Sequence, residues 1–417
     1  MTTSISSCVP LLILNREIGV APGRRKRGFI DLHRCIIDQR ISTIGPSQLK
    51  GIPFSSQNAA GITAMAFDDI EQRFLLCGSA RGNVTIVDFE SHRNAIISPG
   101  LSRQQQRVIP VSNAKDNHKF LITCCQFYPV DSEVFATSSQ DKTFKLWDSN
   151  SMTVVDKFAF ETPITQFHWA VGNSADSSMV AVSIASSNVH LLDPRIGSAC
   201  HQVRCKGAVS AVSWQRSSNF VLMTGDFAGR IFLWDIRSGR SELAELVMKP
   251  TYEGRCSLKK NGAHSNQVTC IKDTNDGQFT LTMSLDKTIQ MWDTRTLEYV
   301  KTVKISDQSQ STAQTKKPVP FDFCDDGNIL WTFIPDGNNV AIKKIDRSRR
   351  ISCTNEHLLQ GHFQSVTAIA YRRNRQELIT SANDRLALIW TPKMDEERPE
   401  YEQKAVDLHK DQYSDED

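Results

Sequence analysis

The stretch "TSSQDKTFKLWD", from Thr137 to Asp148, decides the fold because close copies of it recur along the chain. Each copy begins with a threonine, passes through a short polar turn and ends in an apolar run that reaches a tryptophan. The other three copies are "TGDFAGRIFLWD" (224–235), "TMSLDKTIQMWD" (282–293) and "TSANDRLALIWT" (380–391). A feature that recurs at matching positions indicates a repeat architecture, in which each unit packs against its neighbours.

Three weaker copies fill the gaps and place an aliphatic residue where the others have tryptophan. They are "SARGNVTIVD" (79–88), "ASSNVHLLD" (185–193) and "DGNNVAIKKID" (336–346), with Val87, Leu192 and Ile345 in the tryptophan column. Successive units are 42 to 60 residues apart, and polar loops at 91–116 and 304–320 account for long intervals. The pattern predicts seven units over about residues 57–392.

Within a unit the pattern is that of short β-strands. In residues 268–293, apolar runs alternate with turns at Asp276-Gly277 and at Leu285-Asp286-Lys287, which is hairpin spacing. Four-stranded units of roughly 40–45 residues that end in Trp-Asp are the signature of WD40 repeats, and such units close radially. The sequence therefore predicts an all-β fold, a seven-bladed WD40 β-propeller.

Charge and composition divide the 417 residues into three parts. Residues 1–50 hold eight Lys/Arg and three Asp/Glu, whereas residues 395–417 hold three and ten. We expect an N-terminal arm at 1–48, the propeller at 49–392 and a disordered acidic tail at 393–417. The tail could bind a basic partner or simply add solubility. No apolar run approaches the ~20 residues that span a bilayer, so no membrane association is expected.

A histidine, an aspartate and a hydroxyl recur at fixed phase in three units. Each aspartate stands six residues before a tryptophan, and each histidine stands 22 or 23 residues before the aspartate. The combination is typical of hydrolases, but an enzyme needs one site and this set occurs three times. We predict instead a structural network inside each blade, in which every buried polar group finds a partner. Its members are His118, Asp141, Trp147, His264, Asp286, Trp292, His362, Asp384 and Trp390.

The other four units, the three weaker copies and the unit at 224–235, support the structural interpretation. They lack the paired histidine, and at the aspartate column they carry Arg81, Ser186, Ala228 and Asn339. No phosphate-binding glycine loop and no His-Glu-x-x-His motif occurs. The eleven cysteines include no Cys-x-x-Cys pair, and "CHQVRC" (200–205) matches no common metal spacing. We therefore predict no enzyme site, no metal and no cofactor.

An arginine follows the Trp-Asp pair by two positions in "WDIR" (234–237) and "WDTR" (292–295), and more weakly in "LDPR" (192–195). Chemistry alone favours a turn salt bridge between the aspartate and the arginine. The alternative is a fork at the rim of the ring that recognises a protein partner, since arginine is favoured at interfaces.

The arm begins with "RRKR" (24–27), which could be a nuclear import signal. It continues with apolar residues at helical spacing until Gly45-Pro46, which predicts a short amphipathic helix. The helix could lie on the propeller or enter a groove on a partner. Residues 49–55 are expected to supply the strand that closes the ring. The apolar face comprises Phe29, Leu32, Ile36, Ile37, Ile41 and Ile44.

Three long stretches, residues 127–158, 263–293 and 359–392, resemble the Cockayne syndrome A family of substrate receptors. The order of arm, helix, propeller and acidic end is also similar, so the resemblance spans nearly the whole chain. It implies a nuclear, non-catalytic substrate-recognition subunit of a cullin 4–RING ubiquitin ligase. Members of this family act in transcription-coupled nucleotide excision repair at stalled RNA polymerase II, together with a Cockayne syndrome B-type translocase.

The resemblance also implies which residues dock on the ligase adaptor, damage-binding protein 1. The docking motif of such receptors ends in Trp-Asp-x-Arg, and Met283 and Ala228 are departures from it in this chain. The helical arm resembles the arm that such receptors insert into the adaptor. The expected contacts are Leu32, Ile36, Ile37, Ile41, Asp235, Arg237, Asp293 and Arg295.

Two other functions remain open on the sequence. One is a WD40 scaffold in chromatin or RNA metabolism without ligase association. The other is direct nucleic-acid binding, for which the nearly balanced middle of the chain offers no strong basic stripe with interleaved aromatic residues. No direct nucleic-acid site is therefore predicted.

Overall fold

The computed structural model describes most of the ring, part of the arm and none of residues 393–417. The described residues are 36–51, 61–89, 107–110, 116–170, 179–238, 242–248, 262–305, 319–327, 329–347 and 356–392. Among them is one helix, α1, at residues 36–42. Leu32, the basic run at 24–27 and the acidic tail lie outside the described residues.

Seven four-stranded antiparallel sheets make up the rest of the described chain. Blades 1 to 3 are formed by β2 (Ile62–Phe67), β3 (Phe74–Ser79), β4 (Val84–Asp88), β5 (Arg107–Pro110), β6 (Ile122–Tyr128), β7 (Asp131–Ser139), β8 (Thr143–Asp148), β9 (Thr153–Ala159), β10 (Ile164–Trp169), β11 (Val180–Ile184), β12 (Asn188–Asp193) and β13 (Ser198–Arg204). Blades 4 and 5 are formed by β14 (Val209–Trp214), β15 (Val221–Asp226), β16 (Ile231–Asp235), β17 (Glu242–Leu246), β18 (Val268–Asp273), β19 (Phe279–Ser284), β20 (Thr288–Asp293) and β21 (Tyr299–Lys304). Blades 6 and 7 are formed by β22 (Asp322–Asp325), β23 (Ile329–Asp336), β24 (Asn339–Asp346), β25 (Glu356–Leu359), β26 (Val366–Arg372), β27 (Glu377–Ala382), β28 (Ala387–Pro392) and β1 (Ile44–Gly51).

The blades form a ring because each one buries apolar side chains against the next. Seven apolar clusters are present among the described residues, one between each successive pair of blades. The tryptophan column always packs against the preceding blade: Trp147 lies in the cluster with blade 1, and Val87 in the cluster with blade 7. The predicted seven-bladed β-propeller is confirmed.

The ring closes where the two ends of the propeller share one sheet. β1 runs antiparallel to β28, with Ile44 opposite Pro392 and Gly45 opposite Thr391. The closing strand therefore begins at Ile44, not at residue 49 as the sequence suggested. Ile44, which was expected on the helix face, is a buried strand residue because α1 ends two residues earlier.

Two loop faces result from this topology. We call "top" the face that carries the loop entering each innermost strand and the turn between the second and third strands. The opposite "bottom" face carries the loop after each innermost strand and the loop that follows each Trp-Asp pair. Among the described residues, no helix is long and apolar enough to cross a membrane.

The turns of the top face are tightly joined to the next blade. Gly229 has a φ of +85°, and a Cβ added there would overlap the carbonyl oxygen of His264 in blade 5. His264 in turn donates its backbone N–H to the Gly229 carbonyl. The turn of blade 4 therefore needs a glycine both for its backbone conformation and for the contact between blades.

We expect Gly229→Ala to lower the free energy of unfolding by more than about 1 kcal/mol, because it strains φ and forces blades 4 and 5 apart. Gly197→Ala is the matched control: its φ is +69°, but the nearest atom to an added Cβ, apart from the two neighbouring residues, is an Asp156 oxygen at 3.8 Å. Urea unfolding of both variants measures the difference. Equal losses at the two positions would contradict the role assigned to the contact between blades.

Candidate functional site: the two loop faces

In blade 2 the histidine, aspartate, threonine and tryptophan form one continuous hydrogen-bonded chain. His118 Nδ1 lies 2.9 Å from Asp141 Oδ2, and His118 Nε2 lies 2.8 Å from Thr137 Oγ1. The indole N–H of Trp147 donates to the same hydroxyl oxygen at 2.7 Å. If Nδ1–H donates to the carboxylate, the threonine hydroxyl donates to Nε2 and accepts from the indole, so every polar group is satisfied.

Blades 5 and 7 contain the same chain of hydrogen bonds. His264 lies 3.3 Å from Asp286 and 2.9 Å from Thr282, whose hydroxyl accepts from Trp292 at 3.0 Å. In blade 7, the corresponding distances are 3.0, 2.8 and 2.8 Å, and the residues are His362, Asp384, Thr380 and Trp390.

The geometry does not fit a hydrolase. The hydroxyls of Thr137, Thr282 and Thr380 belong to residues that are 0 % exposed, and each lies between an imidazole and an indole. A nucleophile must reach its substrate, and these hydroxyls are closed off by the blade. The hydrogen-bonded histidine, aspartate, threonine and tryptophan therefore hold the loop before the innermost strand to the second and third strands of the blade.

Blade 4 keeps part of this network with other residues, which the sequence reasoning missed. Trp234 donates to Thr224 at 2.8 Å, and Cys205 takes the histidine position with its Sγ 4.0 Å from the same hydroxyl. Burial raises the pKa of the Cys205 thiol to about 11, so it stays a neutral donor. A signal was present: Cys205 precedes Val209 by four residues, as His118 precedes Ile122.

The pKa shifts of two network residues favour a neutral imidazole in blade 2 and a charged carboxylate in blade 5. Burial lowers the pKa of His118, and the hydrogen bond to Asp141 opposes this only in part. Burial alone would raise the pKa of Asp286, but hydrogen bonds from His264 and Thr288 outweigh it and lower that pKa to about 2.

On the bottom face, the two Trp-Asp-x-Arg arginines differ in their contacts. Arg237 donates from Nε and Nη2 to both oxygens of Asp235, at 3.0 and 2.7 Å, and its guanidinium lies 4.6 Å from the ring centre of Phe220. The side chain of Arg295 makes no hydrogen bond or ion pair with any described residue and is exposed, while Asp293 accepts only backbone N–H groups. Blade 4 thus has the turn salt bridge, and blade 5 presents a free arginine.

Helix α1 lies on the bottom face, across blades 6 and 7. Ile41 is 0 % exposed in the cluster between these blades, and Ile37 packs against it in part. Asp38 accepts from the indole N–H of Trp331 at 2.8 Å and pairs with Lys344 at 2.8 Å. This corrects the expectation that Ile41 contacts an adaptor, because the propeller itself covers it. Ile36 remains 40 % exposed.

A cavity of about 270 Å³ opens at the bottom end of the central channel. Two of its charged groups join innermost strands: Lys272 of blade 5 pairs with Asp322 of blade 6 at 2.9 Å, and Asp322 also accepts from the backbone N–H of Tyr371 in blade 7. These groups therefore connect neighbouring blades. In the described part of the chain, no cluster of three or more His, Cys, Asp or Glu residues could hold a metal ion.

Thr282→Val removes the hydroxyl that serves both His264 and Trp292 while keeping the side-chain shape. We expect it to lower the free energy of unfolding by about 1–3 kcal/mol, since two buried groups lose their partner. Thr302→Val is the control in the same blade, because Thr302 bonds only the half-buried Tyr299 hydroxyl. Chemical denaturation compares the two, and similar losses would contradict the network.

Acid should weaken the network in a defined range. The folded-state pKa of Asp286 is below its usual value of 3.8, so its stabilising effect is present above about pH 4 and is lost as the pH falls towards 2. The destabilisation by Asp286→Asn should therefore shrink between pH 5 and pH 2, roughly the interval that spans the two pKa values. An Asp286 carboxyl that titrates near 4 in an NMR experiment on the folded protein would contradict this.

Comparison with known proteins agrees with the repeat architecture. The family described as "WD domain, G-beta repeat" matches residues 111–148, 255–293 and 353–391, which are the three units that contain the full network. This family is a structural repeat and indicates no catalytic activity.

Several known proteins are similar to the chain over longer stretches. WD repeat-containing protein ATCSA-1 of Arabidopsis thaliana is 27 % identical over 406 residues, covering 81 % of this chain and 87 % of the relative. Radiation-sensitive protein 28 of Saccharomyces cerevisiae is 28 % identical over 31 % of this chain and 27 % of its own length. U3 small nucleolar RNA-associated protein 15 of Schizosaccharomyces pombe is 24 % identical over 56 % of this chain and 40 % of its own length. Together with the seven four-stranded blades, these matches make the chain a WD40-repeat β-propeller protein.

Proposed function

We propose that this protein is the substrate-recognition subunit of a cullin 4–RING ubiquitin ligase that acts in transcription-coupled nucleotide excision repair. The observation that carries the proposal is the extent of the similarity to ATCSA-1, which covers 81 % of this chain and 87 % of that relative. The name of a second relative, radiation-sensitive protein 28, points in the same direction.

The bottom face is where the adaptor, damage-binding protein 1, would dock. Arg237 and Arg295 project from adjacent blades 4 and 5, and α1 lies on blades 6 and 7, so these features form one continuous sector. Ile36 is the exposed apolar residue of α1, and Leu32 stands four residues before it in the sequence, outside the described residues. Exposed arginine and exposed apolar side chains on the same face are typical of interface anchors.

In this role the protein catalyses nothing and positions a target. A rigid ring that holds the adaptor on one face and a target on the other raises the effective concentration of the target at the ligase. Such a subunit would work in the nucleus, with a Cockayne syndrome B-type translocase and stalled RNA polymerase II as its neighbours.

A WD40 scaffold in chromatin or RNA metabolism is the second candidate. The similarity to U3 small nucleolar RNA-associated protein 15 favours it. This match covers 56 % of this chain and 40 % of that relative.

Adaptor binding can be tested with exposed residues that do not support the fold. We expect Arg295→Ala and Ile36→Asp each to weaken capture of purified damage-binding protein 1 about tenfold, since each removes an anchor worth more than about 1 kcal/mol. Ile36→Asp is preferable to deletion of the arm, which would remove the buried Ile41 and Ile44 and disturb the ring.

The controls change the same residue types in blade 3. Arg195→Ala and Ile196→Asp alter exposed bottom-face residues outside the proposed sector, with Arg195 53 % and Ile196 67 % exposed. Both should bind the adaptor as the unmodified protein does. If the unmodified protein fails to bind the adaptor, the scaffold function is favoured; if Arg295→Ala and Ile36→Asp bind normally, the docking surface is wrong.

A further inference from the structure

The top face of blades 7, 1 and 2 exposes large apolar side chains that the fold does not need. Phe363 is 82 % exposed, Phe120 is 61 % exposed and Leu386 is 43 % exposed. Phe120 and Phe363 follow the network histidines of blades 2 and 7 by two positions and one position, so the networks hold their backbone in place. Large exposed apolar side chains grouped on one face of a folded protein are typical of an interaction site.

Four cations surround these apolar residues. Arg81, Lys119, Lys142 and Arg385 are all exposed. None of the four side chains makes a hydrogen bond or an ion pair with another described residue. Unpaired cations around an apolar centre give a surface that favours an acidic partner.

The nearby carboxylates of Asp141 and Asp384 accept hydrogen bonds inside the blades and form no ion pair with these four cations. Asp141 accepts from His118, from Thr143 and from the backbone N–H of Lys119. Asp384 accepts in the same way from His362 and from the backbone N–H of Phe363. A third acidic residue of the described part of this sector, Asp116, accepts from the Lys145 ammonium through its backbone carbonyl at 2.7 Å.

The surface is continuous and held by hydrogen bonds between blades. The backbone N–H of His118 donates to the Gly82 carbonyl at 3.0 Å, which joins the turn of blade 1 to the loop of blade 2. The Thr367 hydroxyl donates to the Ile62 carbonyl at 2.5 Å, which joins blade 7 to blade 1. A preorganised surface of this kind loses little conformational freedom on binding.

We propose that the top face of blades 7, 1 and 2 binds an acidic peptide segment that carries apolar side chains. Phe120, Phe363 and Leu386 take the apolar side chains, and Arg81, Lys119, Lys142 and Arg385 take the carboxylates. This surface lies opposite Arg295 and α1. The peptide-binding proposal goes beyond the proposed ligase role, since it does not depend on whether an adaptor binds the bottom face.

A single-stranded nucleic acid fits the surface less well. The turn of blade 1 lies between the loops that carry Phe120 and Phe363, so the two rings do not form a platform for successive bases. Leu386 is aliphatic and offers no aromatic face. An extended peptide instead presents side chains that can reach separate apolar groups along its length.

The test uses the full chain alone, with no adaptor, and a phage-displayed library of random 16-residue peptides as the probe. We expect selected peptides to combine Asp or Glu with Phe, Tyr, Leu or Trp. Synthetic copies should bind about tenfold more weakly to Phe120→Ser/Phe363→Ser and to Arg81→Glu/Lys119→Glu, and binding to the unmodified protein should weaken as salt rises.

Two control variants distinguish binding at this sector from non-specific binding elsewhere on the protein. Phe227→Ser removes a 44 % exposed phenylalanine on the top face of blade 4, and Lys304→Glu reverses an exposed charge on the outer strand of blade 5. Both should bind the peptides normally, and thermal unfolding should show all variants folded.

The proposal is overturned if no peptide is enriched, if the enriched peptides lack acidic residues, or if they bind the sector variants normally. A fluorescent 20-nucleotide oligothymidine is measured in parallel. Suppose that the oligonucleotide binds the unmodified protein but not the sector variants, and that no acidic peptides are selected. The surface would then be a nucleic-acid site, and the proposal would also be overturned. Each result is independent of adaptor binding and so distinguishes this proposal from the ligase role.

Discussion

The rest of the structure depends on the pairing of β1 with β28, because an open row of blades would leave an unpaired edge and exposed apolar faces. β1 completes blade 7, whose two faces contribute to the apolar clusters with blades 6 and 1. Closing the ring joins segments separated by more than 300 residues, and this entropic cost is offset by completing blade 7 and packing it on both sides. Since α1 directly precedes β1, the same pairing fixes the helix on the bottom face.

Inside the ring, the buried network and the tryptophan column act together. The threonine hydroxyl joins the histidine of one loop to the tryptophan of the third strand, and that tryptophan packs against the preceding blade. The tryptophan side chain therefore takes part both in the hydrogen bonds within its own blade and in the apolar packing against the preceding blade. This also explains why Val87, Leu192 and Ile345 can replace tryptophan: the contact between blades needs an apolar side chain, and each of the three supplies one.

The number of blades could be predicted from the sequence, and so could the residues that meet in blades 2, 5 and 7, because both follow from a repeat whose phase is visible. The start of β1 could not, since Ile44 fits the apolar spacing of the helix as well as that of the strand. The burial of Ile41 depends on Trp331, almost 300 residues away in the chain. Likewise, the top-face surface brings Arg81, Phe120 and Phe363 together only through ring closure.

The central claim is that one ring holds two different proteins on opposite faces. Photo-crosslinking in cells tests it most directly, with p-benzoylphenylalanine placed at position 295 on the bottom face or at position 363 on the top face. Mass spectrometry should identify the ligase adaptor from position 295 and a different protein with an acidic, apolar segment from position 363. Capture of the same protein from both positions, or of no protein from either, would contradict the account.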